Sequence, residues 1–181
     1  MNNICFGNRL IYPVDPKLPP LILEEMLKQV NTLPTMPAVV GEDNRKEKAI
    51  RDCSVSNLPW FHWIAGIMHN IMISANNDYF KYDLDHFDKG IQITKYDPDG
   101  HYQWHRDYLD GKSRKLSISL VLNDGYTGGE IELESKPQAF LFDPRAGEAI
   151  VFPSWLPHRV RPVKTGHRVS LVAWMNGPDF K

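Results

Sequence analysis

From residue 90 onward the chain is cut into short extended runs, and this feature limits the fold most. Val, Ile, Thr and aromatic residues fill residues 90–96, 101–106, 115–122, 129–134, 138–142, 148–153, 157–163 and 167–175, with Gly, Pro and Asp turns between them. Strands this short and this evenly spaced cannot bury themselves singly; they must close into a sandwich or barrel of antiparallel strands. The side chains of an extended run alternate faces. Leu116, Ile118, Leu120 and Leu122 therefore share one face, opposite Ser117, Ser119 and Val121. Ile91 and Ile93 likewise oppose Gln92, Thr94 and Tyr96. One sheet face is greasy and the other small or polar. This predicts a sheet covered outside by helices and lined inside by a polar pocket.

The first half supplies the cover. Residues 1–20 hold four Pro and read as an irregular lead-in with one short strand near residues 10–12. Residues 21–33 predict a helix with Leu23, Met26, Leu27 and Val30 on one stripe and Pro19-Pro20 at its start. A polar loop over 34–48, centred on Gly41-Glu42-Asp43-Asn44, leads to a strand within 49–57. Pro59 then opens a second helix over 60–75, with Phe61, Ile64, Met68, Ile71 and Met72 as its core face. The expected organisation is one domain over 1–181: a helical flank to about residue 89, then a mainly β barrel over about 90–181.

Composition narrows the function classes. A net charge of -1 gives no electrostatic reason to bind nucleic acid or an anionic membrane. No apolar run approaches the roughly 20 residues of a spanning helix. The start lacks the charged-then-apolar layout of a signal peptide, and two Cys, Cys5 and Cys53, make no disulfide framework. Both cysteines read as small buried apolar residues in a reducing, cytoplasmic setting. A monomer is the default expectation.

The chemistry gathers around His105 and Asp107. Two residues apart on an extended chain, they aim one imidazole and one carboxylate at one point. A further His from a distant strand completes the two-His-one-carboxylate face that holds iron(II) with open positions. His158, on the β-patterned stretch EAIVFPSWLPHRVRPV, is that candidate. A second His-x-Asp, His86-Phe87-Asp88, sits in the charged run KYDLDHFDKG and reads as a solvated loop. Gly128-Gly129-Glu130 marks a tight turn before a strand. Arg168 lies on the last strand with Ser170, Val172 and Trp174 on its face. A cation deep in a sheet is costly unless an anion meets it, and its planar fork fits a carboxylate. A dicarboxylate chelating the metal at one end and meeting Arg168 at the other satisfies both, with the Tyr96 hydroxyl beside it.

The order Tyr96, Tyr102-x-x-His105-x-Asp107, Gly128-Gly129-Glu130, His158-Arg159-Val160-x-Pro162-Val163 and Arg168-x-Ser170 resembles the iron(II)- and 2-oxoglutarate-dependent dioxygenases. Within them it is similar to the prolyl 4-hydroxylase-like branch and its small bacterial and phage members. The motifs span residues 90–175, about half the chain. The resemblance implies a double-stranded β-helix, or jelly-roll barrel, with the metal at its open end. It implies His105, Asp107 and His158 as metal ligands and Arg168 as the 2-oxoglutarate anchor, assisted by Tyr96. It also implies Tyr102 as a lining residue, although strand parity alone does not turn it inward. Ser170 and Trp174 match positions beside the cosubstrate. Arg114 matches a position that contacts cosubstrate or substrate in some relatives. Lys164, in the turn PVKTG, reads as solvent-facing. Collagen-type enzymes carry Lys where this chain has Arg168, which points away from collagen-like substrates. The implied cofactors are Fe(II), 2-oxoglutarate, O2 and ascorbate as reductant. The implied reaction hydroxylates a C–H bond, first of all in a prolyl residue of a peptide or protein, with release of succinate and CO2. The implied place is the cytoplasm, a host's if the gene is phage-borne.

Three rivals stand beside this reading. A nucleic-acid demethylase on the same barrel would carry a second Arg six residues past Arg168, where this chain has Trp174. A zinc hydrolase or cupin-like metal module uses similar ligands but gives Arg168 and Tyr96 no task. A non-catalytic binding barrel shares the fold. The loops at 34–58, 76–89 and 108–114 are expected to form the entrance, and their mixed charge marks no substrate.

Overall fold

The computed structural model describes residues 10–41, 45–108, 113–134 and 138–178. Strands are numbered along the chain. The larger sheet orders β1 (Tyr12–Val14), β12 (Ala149–Pro153), β8 (Arg114–Val121), β15 (Arg168–Asn176), β6 (Gly90–Tyr96), β4 (Ser54–Pro59) and β2 (Met36–Pro37). A short β5 (His86–Phe87) pairs with the end of β15. The smaller sheet orders β11 (Phe140–Phe142), β10 (Ile131–Leu133), β13 (His158–Val160), β7 (His101–His105) and β3 (Arg51–Asp52). A separate ribbon joins β9 (Thr127–Gly128) to β14 (Val163–Thr165). All these pairings are antiparallel. From β6 on, the chain passes back and forth between the two sheets. That winding makes a double-stranded β-helix.

The two faces of the larger sheet sort as the alternation predicts. Ile91, Ile93, Leu116, Ile118, Leu120, Leu171 and Ala173 form one buried cluster with residues of the two helices. Each buried Ile or Leu among them contributes about 1.5–3 kcal/mol relative to exposure. Helix α1 (Pro20–Thr32) starts on proline and buries Met26 and Val30. Helix α2 (Trp63–Ala75) buries Ile64, Ala65, Met68, Ile71, Met72 and Ala75. It runs on into a π-helical turn over Asn76–Phe80. The opposite sheet face, carrying Gln92, Thr94, Tyr96, Ser117, Ser119, Arg168, Ser170 and Trp174, looks across to the smaller sheet.

Several boundaries differ from expectation. The second helix begins at Trp63, not at 60, because Pro59 is still strand, paired with Gly90. The chain then turns, with the His62 N–H donating to the Pro59 carbonyl at 3.0 Å. The His62 ring accepts from the Ile64 N–H and caps the helix. Phe61 is left 74% exposed and is no core residue. The stretch 49–57 is not one strand: it divides at Cys53 between the smaller and the larger sheet. The run 157–163 also divides, at Pro162, which has no N–H for a ladder. The loop at 34–48 holds β2, and its expected centre at 42–44 lies outside the described residues, as does Cys5. The lead-in strand falls at Tyr12–Val14. Cys53 is buried, as expected of a small apolar residue, and Lys164 is exposed.

Candidate active site

Strand pairing brings the two histidines together. His158 on β13 sits opposite His105 on β7, and their ring centroids are 4.1 Å apart. Asp107 lies just beyond β7, where its N–H and that of Tyr108 both donate to the Ser154 carbonyl at 2.9 Å. This clamp turns the Asp107 carboxylate toward the pair. Its Oδ1 is 3.8 Å from His105 Nε2, and its Oδ2 is 3.5 Å from His158 Nε2. One ligand atom from each residue lies within 4.8 Å of the others. Their side chains are only 16%, 11% and 7% exposed.

The ring tautomers follow from the backbone. His105 Nδ1 lies 2.8 Å from the Gln103 carbonyl, and His158 Nδ1 lies 2.9 Å from the Leu156 carbonyl. A carbonyl only accepts, so both Nδ1 atoms carry the proton. Both Nε2 lone pairs are left to face Asp107. Such outer bonds fix ring orientation and raise ligand basicity. Ser117, on the inner face of β8, donates to Asp107 Oδ2 at 2.7 Å and is itself 2.9 Å from the Ser154 hydroxyl.

Protonation agrees with this geometry. Burial first, then the neighbouring His158, pushes His105 down to about 3, against the pull of Asp107. Burial alone would raise Asp107; His158 and His105, with Trp174 and Ser117, outweigh it and hold the carboxyl below the usual carboxylate range. A neutral His105 and an ionised Asp107 are the protonation states a divalent metal takes.

Arg168 lies deep in the larger sheet and is 1% exposed. Its Nη1 donates to Ser170 Oγ at 2.7 Å, and Ser170 in turn lies 2.7 Å from the Thr94 hydroxyl. Its Nε and Nη2 are buried without a partner among the described residues. Arg168 Cζ is 5.7 Å from the centre of the Tyr96 ring. Burial raises the Tyr96 hydroxyl well above the usual phenol range and keeps it a donor. Gly129 makes room for this arrangement. A Cβ there would sit 2.9 Å from both Arg168 Cδ and Val163 Cγ2, on a backbone at φ +70°.

A cavity of about 860 Å³ opens on the His-His-Asp cluster and on Tyr96. His105, Asp107, His158, Thr94, Tyr96, Tyr102, Trp174 and Arg114 line it. Arg168 and Ser170 are not among its lining residues, but their strand partners Tyr96 and Thr94 are. Residues 39–41, 57–58 and 88–90 also line the cavity; residues 109–112 lie outside the described residues. Tyr102 stacks on His105 with ring centroids 3.5 Å apart. Parity failed for Tyr102 because β7 bulges. The register moves three residues along β7, from His105 to Tyr102, against two along β13. One extra residue turns both side chains inward.

Two groups escaped the sequence reading. His86-Phe87-Asp88 is not a solvated loop: His86–Phe87 pairs with β15, and the Asp88 N–H donates to the Trp174 carbonyl at 2.9 Å. The Asp88 carboxylate meets Arg114 Nη2 at 2.7 Å and Nε at 2.9 Å. Arg114, a candidate from the sequence, lies flat over Trp174 on the cavity wall, its Cζ 3.9 Å from the ring centre. Arg51 is the second: it reaches the cavity from β3, with Cζ 4.5 Å from the Tyr102 ring centre. Its single visible signal was a place within the predicted strand stretch 49–57.

Residues 91–176 match the 2OG-Fe(II) oxygenase superfamily. This segment of the chain is similar to that superfamily. The superfamily is named for Fe(II) and 2-oxoglutarate, and the His-His-Asp cluster lies inside the matched segment. Among curated proteins, the chain is 33% identical over 87 residues to a PKHD-type hydroxylase of Synechococcus sp. (strain CC9311), covering 46% of this chain and 40% of that protein. It is 37% identical over 90 residues to a PKHD-type hydroxylase of Prochlorococcus marinus (strain MIT 9301), covering 48% and 40%. The match thus spans about two fifths of the length of these relatives. Among solved structures, the fold here is similar to that of a Pseudomonas putida prolyl-4-hydroxylase, with a TM-score of 0.75, 21% identity and 93% of each chain covered. It is also similar to a Trichoplax adhaerens prolyl hydroxylase solved with a hypoxia inducible factor peptide fragment, with a TM-score of 0.79, 15% identity and coverage of 94% and 84%. These neighbours make the fold prolyl 4-hydroxylase-like. No helix among the described residues is long and apolar enough to cross a membrane.

Proposed function

We propose that the chain is an Fe(II)- and 2-oxoglutarate-dependent hydroxylase acting on a C–H bond, first of all in a prolyl residue of a peptide or protein. The observation that carries this reading is the pairing of two sites: a buried His-His-Asp cluster with its Nε2 lone pairs freed, and a buried guanidinium with two unmet nitrogens. Iron(II) and 2-oxoglutarate, when bound there, supply oxidation of a C–H bond to an alcohol by O2, with 2-oxoglutarate leaving as succinate and CO2. His105, Asp107 and His158 hold the metal. The Gln103 and Leu156 carbonyls keep both rings in the ligating tautomer, and Ser117 fixes the carboxylate. Arg168 meets the distal carboxylate of 2-oxoglutarate, with Tyr96 and Ser170 beside it. The donor sets fit both groups. Tyr102 and Trp174 wall the space around the reacting centre and exclude water. Arg114, held flat on Trp174 by Asp88, forms part of the substrate wall.

A peptide substrate is supported by the peptide bound to the Trichoplax adhaerens neighbour. The chain's net charge of -1 gives no reason for a nucleic-acid substrate. A monomer in the cytoplasm, with ascorbate as reductant, completes the proposal. The test is anaerobic loading with iron(II) and 2-oxoglutarate, then oxygen and a proline-containing peptide library with ascorbate present. Succinate release with a +16 shift on a peptide is expected. Absence of oxygen-dependent succinate from metal-loaded protein rejects the reading, and a hydrolysed product in its place favours the zinc hydrolase.

A further inference from the structure

The cavity holds one charge that the proposed chemistry leaves unanswered. Of its carboxylates, Asp107 belongs to the metal cluster and Asp88 is taken by Arg114 at two points. Arg168 answers to 2-oxoglutarate. Lys89 and Arg106, also on the lining, are exposed and solvated. Arg51 is different. Its Nη2 donates to the neutral amide oxygen of Gln92 at 2.6 Å. Its Nε is buried with no hydrogen-bond partner, and no carboxylate among the described residues pairs with it. The adjacent Asp52 is engaged by Lys48 at 3.3 Å. Buried Cys53 offers no counter-charge, because burial pushes its thiol up and keeps it protonated. A guanidinium stays charged at any working pH, and a half-buried cation without an anion is a standing cost.

Its place gives that charge a use. The Tyr102 ring is held between the Arg51 guanidinium and the His105 imidazole, at 4.5 Å and 3.5 Å. Arg51 is therefore one aromatic ring away from a metal ligand and on the wall of the same cavity. We propose that Arg51 is the anchor for the molecule to be hydroxylated, and that this molecule carries a carboxylate close to the carbon attacked. The carboxylate is either a free α-carboxylate, as in an amino acid or a chain end, or an acidic side chain beside the target residue. This inference rests on the oxygenase reading.

The test uses the whole chain loaded with iron(II) and 2-oxoglutarate without oxygen. Two pools are offered: N-acetyl amino acids with their matching amides, and acetyl-X-Glu-amide with acetyl-X-Gln-amide peptides, X running over all residue types. Retained members are identified by mass spectrometry after rapid separation. Retention of acid over amide by roughly tenfold or more is expected in one pool, as a charge-assisted bond at a desolvated site provides. Preference in the first pool assigns a free carboxylate, and preference in the second assigns an acidic side chain. Arg51→Gln should lose the preference. Arg51→Lys, which keeps the charge without the fork, should keep a smaller one, and far-UV circular dichroism checks that both variants fold. Equal retention of acid and amide, retention of neither, or a preference that survives Arg51→Gln overturns the proposal. Retention of 2-oxoglutarate itself separates the two readings: its failure sinks the oxygenase and this inference together, whereas its success with no acid preference sinks this inference alone.

Discussion

Replacing Arg168 by Met should affect stability and ligand binding in opposite directions. The metal-free protein buries two guanidinium nitrogens with no partner among the described residues. Each unmet buried donor costs about 1–3 kcal/mol. Met has similar length and no donors, so Arg168→Met removes that cost and gives up one bond to Ser170, which keeps Thr94. The melting temperature of the metal-free variant should hold or rise. In a chain of this size about 1 kcal/mol moves it by roughly 2–4 °C. Binding of 2-oxoglutarate should collapse, since truncating one partner of a buried charge pair costs about 2–5 kcal/mol, or roughly 30- to 3000-fold in affinity. The assay is calorimetric titration of 2-oxoglutarate into Mn(II)-loaded protein, beside melting curves of the metal-free form. A variant that melts roughly 10 °C lower yet binds 2-oxoglutarate as before would refute the reasoning, for Arg168 would then be a structural cation.

Other residues give sharp tests. Ser117→Ala removes the bond to Asp107 Oδ2 and should weaken Mn(II) binding by roughly 10- to 100-fold, read by magnetic-resonance titration; unchanged affinity would deny Ser117 its orienting role. Gly129→Ala combines φ +70° with a Cβ 2.9 Å from Arg168 Cδ and should cost about 1–3 kcal/mol, seen as an earlier urea midpoint together with weaker 2-oxoglutarate binding. Metal-free protein should lose stability on mild acidification. Unfolded His105 takes up its proton near 6.5 and the folded residue only near 3, so the unfolded state binds more protons across that window. Stability then falls as pH drops through it, by at most about 1.4 kcal/mol per unit from this residue. Asp107, lowered in the fold, adds a further loss only below the ordinary carboxylate range. Urea unfolding between pH 7 and pH 4.5 measures the slope, and His105→Gln should flatten it; a slope that survives the substitution belongs to other groups.

The barrel was legible because its signals are local. Alternation placed Leu116, Ile118 and Leu120 outward and Ser117 and Ser119 inward, and turns at Gly and Pro bounded most runs. The spacing of His105 from Asp107 put them on one side, and a deep Arg on the last strand asked for an anion. What stayed hidden depends on pairing. The bulge in β7 that turns Tyr102 inward exists only against β13, and no residue of the run HYQWH announces it. His86-Phe87-Asp88 looked solvated because its run is charged, yet pairing with the end of β15 delivers Asp88 to Arg114, a contact 26 residues away. Arg51 arrives from a separate segment, and only the split of that segment at Cys53 between two sheets aims it at the cavity. The late start of α2 had the same origin: Pro59 reads as a helix opener until Gly90 is seen to pair with it.

The most direct measurement is a crystal structure of the protein grown without oxygen in the presence of Mn(II) and 2-oxoglutarate. The expected result is one metal ion bound by His105 Nε2, His158 Nε2 and a carboxylate oxygen of Asp107, with the keto acid end of 2-oxoglutarate on the metal and its far carboxylate on Arg168. A metal bound elsewhere, or a 2-oxoglutarate whose far carboxylate lies away from Arg168, would contradict it.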